Sequence, residues 1–190
     1  RLLHRSRLPR KIEDASKCLL ETYYTLTIEQ GGRVRDKLRD GVEEALKIFG
    51  NGFLNHFKNQ ELRERVAQKK INPSSFYQQL LRLIYRLLFL MVGEERNLIS
   101  ENPTYLNYYS ISRLRRLAEL RSSYSEYDDL WIGLRTTFRL FQDEKFGQML
   151  GVPPLNGDLF NMSQTPDLSE VTISNRDLLY AIWHISMYRE

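Results

Sequence analysis

At 190 residues the chain is long enough for one domain that buries most of its apolar surface without a disulfide or metal staple. Its content, 42% hydrophobic and 27% charged, is that of an ordinary globule and not of a disordered or membrane-embedded chain. Twenty-eight Lys plus Arg against 24 Asp plus Glu give +4, a mild basic balance that permits a nucleic-acid partner without demanding one.

The first residues, RLLHRSRLPRK, lack the apolar core of a secretory signal. Arg1, Arg5, Arg7, Arg10 and Lys11 crowd there with no acid before Glu13, so residues 1–24 read as a basic extension with a short helix over 11–24. Cys18 is the single cysteine, which excludes an internal disulfide and fits a reducing, cytoplasmic setting. Over residues 29–49, Val34, Leu38, Val42, Ala45, Leu46 and Phe49 share one helical stripe, and GNGF at 50–53 predicts its end. Arg39, Glu43 and Lys47 follow one another at four-residue spacing, the pattern of a solvated ion-pair ladder. A short charged helix is expected over 60–69.

Asn72 suits an N-cap and Pro73 the first helical position, opening a central helix that covers about 76–97. Phe76, Leu80, Leu83, Ile84, Leu87, Leu88 and Met91 form a continuous stripe on it, with Arg82 and Arg86 expected on a face turned away. The uninterrupted apolar run is only 87–92, against about 20 residues for a bilayer span, so the expectation is a core helix and no membrane. SENP at 100–103 predicts its stop. Further helices are expected over 110–121 and over 127–150, the latter with Trp131, Leu134, Phe138 and Phe141 inward. Residues 151–173, rich in Pro, Gly and Asn, form one long irregular connection. Ser174 and Asp177 then have capping-box spacing ahead of a last helix.

No segment alternates with period two for long. The expectation is an all-α fold, a multi-helix bundle around the central helix, as a single helical domain over 1–190. A chain that begins at Arg and stops at MYRE, directly after a helical pattern, is also expected to be a piece of a longer polypeptide.

Catalytic patterns are scarce. His4, His56, His184 and Cys18 are scattered, without the spacing of a metal site, and no phosphate-cradling glycine loop or nucleophile motif occurs. His184, one turn beyond Tyr180, reads as a packing or surface residue. Glu43–Glu44 and Glu94–Glu95 are adjacent pairs that a helix splays by about 100°, so neither pair shares a substrate. NPTY at 102–105 lacks the second proline of the Asn-Pro-Pro-Tyr motif of amino-group DNA methyltransferases and is read as a helix stop. PDLSE at 166–170 has Thr172 where a nuclease of the PD-(D/E)xK type needs lysine. What remains is basic: Arg113, Arg115 and Arg116 cluster near Tyr105, Tyr108, Tyr109 and Tyr124, residue types that grip phosphates and stack bases. With the N-terminal cluster they are the candidate nucleic-acid contacts, set against pairing with Glu119 and simple burial of the tyrosines.

Five segments in order carry a family likeness: GVEEALKIFGNGFL (41–54), FYQQLLRLIYRLLFLMVGEERNLI (76–99), NPTYLNYYSISRLRR (102–116), NGDLFN (156–161) and ISNRDLLYAI (173–182). Together they resemble the helical region upstream of the methyltransferase domain in type IIG restriction–modification enzymes and related adenine-specific, phage-defence DNA methylases. The resemblance implies a non-catalytic helical connector, with the S-adenosylmethionine site and the true Pro-Pro motif downstream and any nuclease upstream. No catalytic residue and no cofactor is carried over to this segment. Its implied partners are the other domains of its own polypeptide and double-stranded DNA. Two other readings stay open: an independent nucleic-acid-binding domain, with steeply salt-dependent affinity, and a purely structural or partner-binding domain, with an exposed apolar groove.

Overall fold

The computed structural model describes residues 19–153 and 158–186, with side chains from residue 35 onward. Every regular element among them is helical: α1 (Leu19–Asn55), α2 (Gln60–Ala67), α3 (Pro73–Glu95), α4 (Ile111–Glu119), α5 (Asp129–Gln142), α6 (Glu144–Met149), α7 (Pro166–Ser169) and α8 (Asn175–Ser186). A π-helical turn, Tyr105–Tyr109, precedes α4, and short 3-10 turns lie at Arg121–Ser123 and Met162–Gln164.

The central helix begins as its sequence dictates. Asn72 Oδ1 accepts from Ser74 N at 2.9 Å, and Pro73, which has no N–H to satisfy, occupies the first turn. Leu80, Leu83, Ile84, Leu87, Leu90 and Met91 are buried, a gross stabilisation on the order of 10 kcal/mol before chain entropy is charged against it. The helix stops before SENP. Asn97 turns left-handed (φ 55), and the Leu98 and Asn97 amides donate back to Gly93 O and Glu94 O at 2.9 and 3.0 Å, a closure that needs no proline.

The expected breaks at residues 24–29 and 50–53 do not occur, since α1 runs through both as 37 residues. Its glycines are seats for neighbours and not stops. At Gly52 a Cβ would lie 2.6 Å from Ile173 Cδ1, and at Gly41 it would collide with the backbone carbonyl of His184. A glycine inside a helix costs about 1 kcal/mol relative to alanine. Here it lets α1 pack closely along α8, while Phe49 and Phe53, both wholly buried, more than offset that cost. The end of α1 is tied down by buried Asn59, which donates to Phe53 O and Thr172 O at 2.7 and 2.6 Å.

The expected helix over 127–150 is divided. Asp143 leaves helical geometry (φ −107, ψ 109), and its carboxylate accepts from Lys145 N and Phe146 N at 3.0 and 3.3 Å, starting α6. Gly147 permits the fold-back, because a Cβ there would sit 2.5 Å from Leu140 O. The inward set Trp131, Leu134, Phe138 and Phe141 is buried as expected, with Trp131 edge-on to Phe53 at 5.1 Å. Ser174 Oγ accepts from Asp177 N at 3.1 Å and opens α8.

A further correction concerns Arg86, which faces inward at 2% exposure. It donates to Leu159 O (2.6 Å), Asn161 O (3.0 Å) and Thr165 Oγ1 (3.2 Å) and lies 5.4 Å from the Phe138 ring centroid. Arg82 donates to Gln164 O at 2.9 Å, and Gln79 exchanges two bonds with Asp167, whose carboxylate also meets Arg65 at 2.6 Å. Irregular backbone has carbonyls that no helix satisfies. The polar groups of α3 take them up and fasten residues 159–167 to the core, with Phe160 stacked on Phe141. On α1 the ion pairs also differ from the expected ladder: Arg39 meets Asp36 and Asp40, and Lys47 meets Glu44.

Candidate functional site

Of the two basic clusters, Arg1, Arg5, Arg7, Arg10 and Lys11 lie outside the described residues. Arg113, Arg115 and Arg116 sit on α4, a helix anchored on one side by buried Ile111, Leu114 and Ala118. Its N-terminus is held by Ser110, which accepts from Arg113 N at 3.2 Å, and by Glu94. The Glu94 carboxylate accepts from Ile111 N and Ser112 N, each at 2.8 Å, from Ser112 Oγ at 2.7 Å and from the Tyr105 hydroxyl at 2.8 Å. This residue, read from sequence only as one of an adjacent acidic pair, therefore fixes where the arginines stand.

Arg113 and Arg116 lie one turn apart, the first half-buried and the second exposed, whereas Arg115 is half-buried on another side with an Nε that has no hydrogen-bond partner. None of the three forms an ion pair among the described residues, and Glu119 does not engage them. The tyrosines are largely committed elsewhere. Tyr105 is buried, and that burial beside Glu94 pushes its hydroxyl pKa far up. The half-buried Tyr109 ring packs against the core, and the Tyr124 hydroxyl donates to Ala118 O at 2.8 Å. Tyr108 alone of the four is largely open, at 67% exposure. The structure thus brings two arginines and one tyrosine to the surface here, a smaller platform than the sequence pattern implied.

The larger surface feature is on α3, and sequence reasoning missed it. Beside the core stripe, and sharing half-buried Leu88 with it, Tyr77, Leu81, Tyr85, Leu88 and Val92 recur at i, i+4, i+8, i+11 and i+15, a second apolar stripe joined by Phe89. Tyr77 is 53% exposed, Tyr85 52%, Phe89 39% and Val92 40%. The stripe runs into a groove of about 380 Å³ between the end of α3, Ile99, Phe141 and Pro153, rimmed by Leu98 and by Arg96. A helix that is apolar nearly all round normally has neighbours on every side. Among the described residues the outer stripe of this one is largely uncovered, except that the Phe89 ring lies edge-on to Phe160 at 5.6 Å, and contiguous exposed apolar strips are where interaction faces are sought. The available signal was the period of Tyr77, Leu81, Tyr85 and Leu88, hidden because core and outer stripes overlap in a run rich in leucine.

Among the described residues no group of three His, Cys, Asp or Glu stands together as a metal site, and no helix is long and apolar enough to cross a membrane. His56 is buried with Nδ1 accepting from Lys58 N and with Nε2 unpartnered; burial lowers its pKa, against the raising effect of Asp128. His184 is half-buried edge-on to Tyr180 and Trp183, and burial lowers its pKa as well. Among the described residues neither imidazole is hydrogen-bonded to a nucleophile or a carboxylate.

No family model matches the chain, and neither a curated protein nor a solved structure matches it significantly. The functional reading therefore rests on its own residues.

Proposed function

We propose that the chain is a non-catalytic helical connector of a larger cytoplasmic, S-adenosylmethionine-dependent adenine-specific DNA methyltransferase of the restriction–modification type. In this reading the outer face of α3 seats another domain of the same polypeptide. The observation that carries the seat, as distinct from the parent, is the exposed stripe Tyr77–Tyr85–Phe89–Val92 with the groove beside it, a feature that a purely partner-binding domain would share. The family likeness of the five segments supports the choice of parent, and the core-fastened connection over 159–167 supports a rigid spacer. Chemistry would belong to the neighbouring domains, and this segment would hold them at a fixed distance from one another and from double-stranded DNA.

The test is a pair of substitutions, Tyr77→Glu with Tyr85→Glu, made in the isolated chain and in the whole polypeptide. Both rings are about half exposed and make no ring contact or hydrogen bond among the described residues, so the isolated chain should keep its helical circular dichroism and unfold at nearly the same urea concentration. In the whole polypeptide the same pair should uncouple the domains, so that one cooperative unfolding transition becomes two and methyl transfer to DNA falls. The isolated chain should transfer no methyl group at all. A whole polypeptide whose unfolding and activity ignore the two glutamates rules the seat out.

A further inference from the structure

A second concave site lies on the opposite flank of α5. It is a cavity of about 370 Å³ whose walls include Ile132, Arg135, Arg139, Met162 and Glu170. Its charges are arranged in an unusual way. Arg135 and Arg139 stand one helical turn apart, and neither meets a carboxylate within ion-pair distance among the described residues, although Glu170 lines the same cavity. Arg139 stays free for a structural reason. Four residues on, where a continuous helix would offer it Asp143, the chain breaks and the Asp143 carboxylate caps α6 instead. Opposite charges that line one small cavity without pairing invite a ligand that reaches both.

The rest of the wall narrows the choice. Thr136 and Ser169 also line it, but their hydroxyls donate to Ile132 O and Pro166 O at 3.0 and 2.7 Å. Toward the cavity they offer lone pairs only, as Glu170 does. Donors are therefore concentrated at the two guanidiniums, whose planar forks match phosphate oxygens. Glu170 is the charged acceptor of this lining, with Ser169 beside it in sequence, and Ile132, 56% exposed, with half-buried Met162 adds apolar surface. We propose that this cavity binds a nucleoside phosphate whose base carries an exocyclic amine. The phosphate would lie on Arg135 and Arg139, the base face on Ile132 and Met162, and the amine would donate to Glu170, a pairing carboxylates make with cytosine. The source is either a free nucleotide or one residue of a strand. The proposal does not rest on the docking face of α3, which belongs to another helix.

Fluorescence anisotropy of labelled dC and dT decanucleotides tests it, with CMP and UMP as unlabelled competitors. The dC strand should bind about tenfold more tightly than dT, the size of one good base-edge contact. Arg135→Ala and Arg139→Ala should each weaken both strands about tenfold, while Glu170→Ala should erase the dC preference and leave dT affinity unchanged or higher. All three positions are on the surface or half-buried, and circular dichroism checks that each variant folds. Displacement by CMP but not UMP assigns the seat to single nucleotides, and displacement only by a dC strand assigns it to a strand; both support the proposal. Equal affinity for dC and dT, no binding of either, preference for an acidic peptide, or an equal loss in a Lys69→Ala, Lys70→Ala control overturns it.

Discussion

Replacing Arg86 by methionine should be among the most damaging single changes this chain can suffer, and the magnitude follows from its surroundings. The guanidinium is 2% exposed with no carboxylate near it; burial, with Arg82 close by, pushes its pKa down to about 10 from an ordinary 12.5. That fall corresponds to about 3 kcal/mol against the charged form. Against it stand three hydrogen bonds from a charged donor, each contributing about 1.5–3 kcal/mol, and the face of Phe138 at 5.4 Å. The bonds win. Methionine fills much of the same volume but leaves Leu159 O, Asn161 O and Thr165 Oγ1 without that donor, so the expected loss is about 3–5 kcal/mol, a large share of a domain's usual stability. Urea unfolding followed by tryptophan fluorescence measures the loss. Hydrogen exchange should place the first damage at residues 158–169, the segment Arg86 fastens. Arg86→Lys should recover only part of it, because a single ammonium lacks the fork that reaches three acceptors. A methionine variant as stable as the parent, or more stable, refutes the reasoning, since it means the desolvation cost exceeds what the bonds return.

Three further changes test other joints. Gly41→Ala should destabilise the chain by about 2 kcal/mol, because the new methyl meets the His184 carbonyl and backbone cannot step aside, whereas Gly133→Ala, with nothing within 4 Å, should stabilise it by about 0.5–1 kcal/mol; thermal melts of the pair decide. Glu94→Ala strips four hydrogen bonds from the start of α4 and the Tyr105 hydroxyl and should cost about 2–4 kcal/mol in urea, with Glu94→Gln recovering less than half because its amide NH2 faces donors. His56 and His184 have folded pKa values below the unfolded one, so the unfolded chain binds their protons first. Stability should be full above about pH 6.5 and should fall as pH drops below it, more gently in His56→Gln. Asp128, held low chiefly by its bond to Lys58, adds its own loss only below its ordinary value of 3.8, so urea midpoints between pH 7 and pH 5 isolate the histidines.

Much of the fold is legible in the residues because local and tertiary signals agree. Asn72-Pro73 and Ser174–Asp177 mark helix starts through hydrogen bonds that form within a few residues, and the core stripe of α3 has a clean period. The misreadings arise where tertiary contact overrides a local preference. Gly50 and Gly52 favour a break in isolation, yet Ile173 and Leu80 make them the places where helices meet. Asp143 has the side chain of a cap inside a pattern that otherwise continues, and only the close approach of Gly147 to Leu140 shows that the chain turns there. Arginines usually face water, so Arg86 gave no hint of facing inward; its acceptors come from a segment more than 70 residues away, which no local pattern displays. The same holds for the candidate surfaces. Arg113 and Arg116 were visible as a charge cluster, but the commitment of the Tyr105 and Tyr124 hydroxyls to internal bonds, and of the Tyr109 ring to the core, was not. The outer stripe of α3 was concealed by the very richness in leucine that identified the helix.

The most direct test of the proposed docking face is covalent footprinting of Tyr77 and Tyr85, read by mass spectrometry in the isolated chain and in the whole polypeptide that the proposal assigns it to. Both rings are about half exposed in the structure, and Tyr105, wholly buried, serves as the internal standard. Strong modification of Tyr77 and Tyr85 in the isolated chain, with both protected in the whole polypeptide while Tyr108 stays reactive, is the result predicted for a connector seated through α3. Equal modification of the two tyrosines in both settings would contradict it.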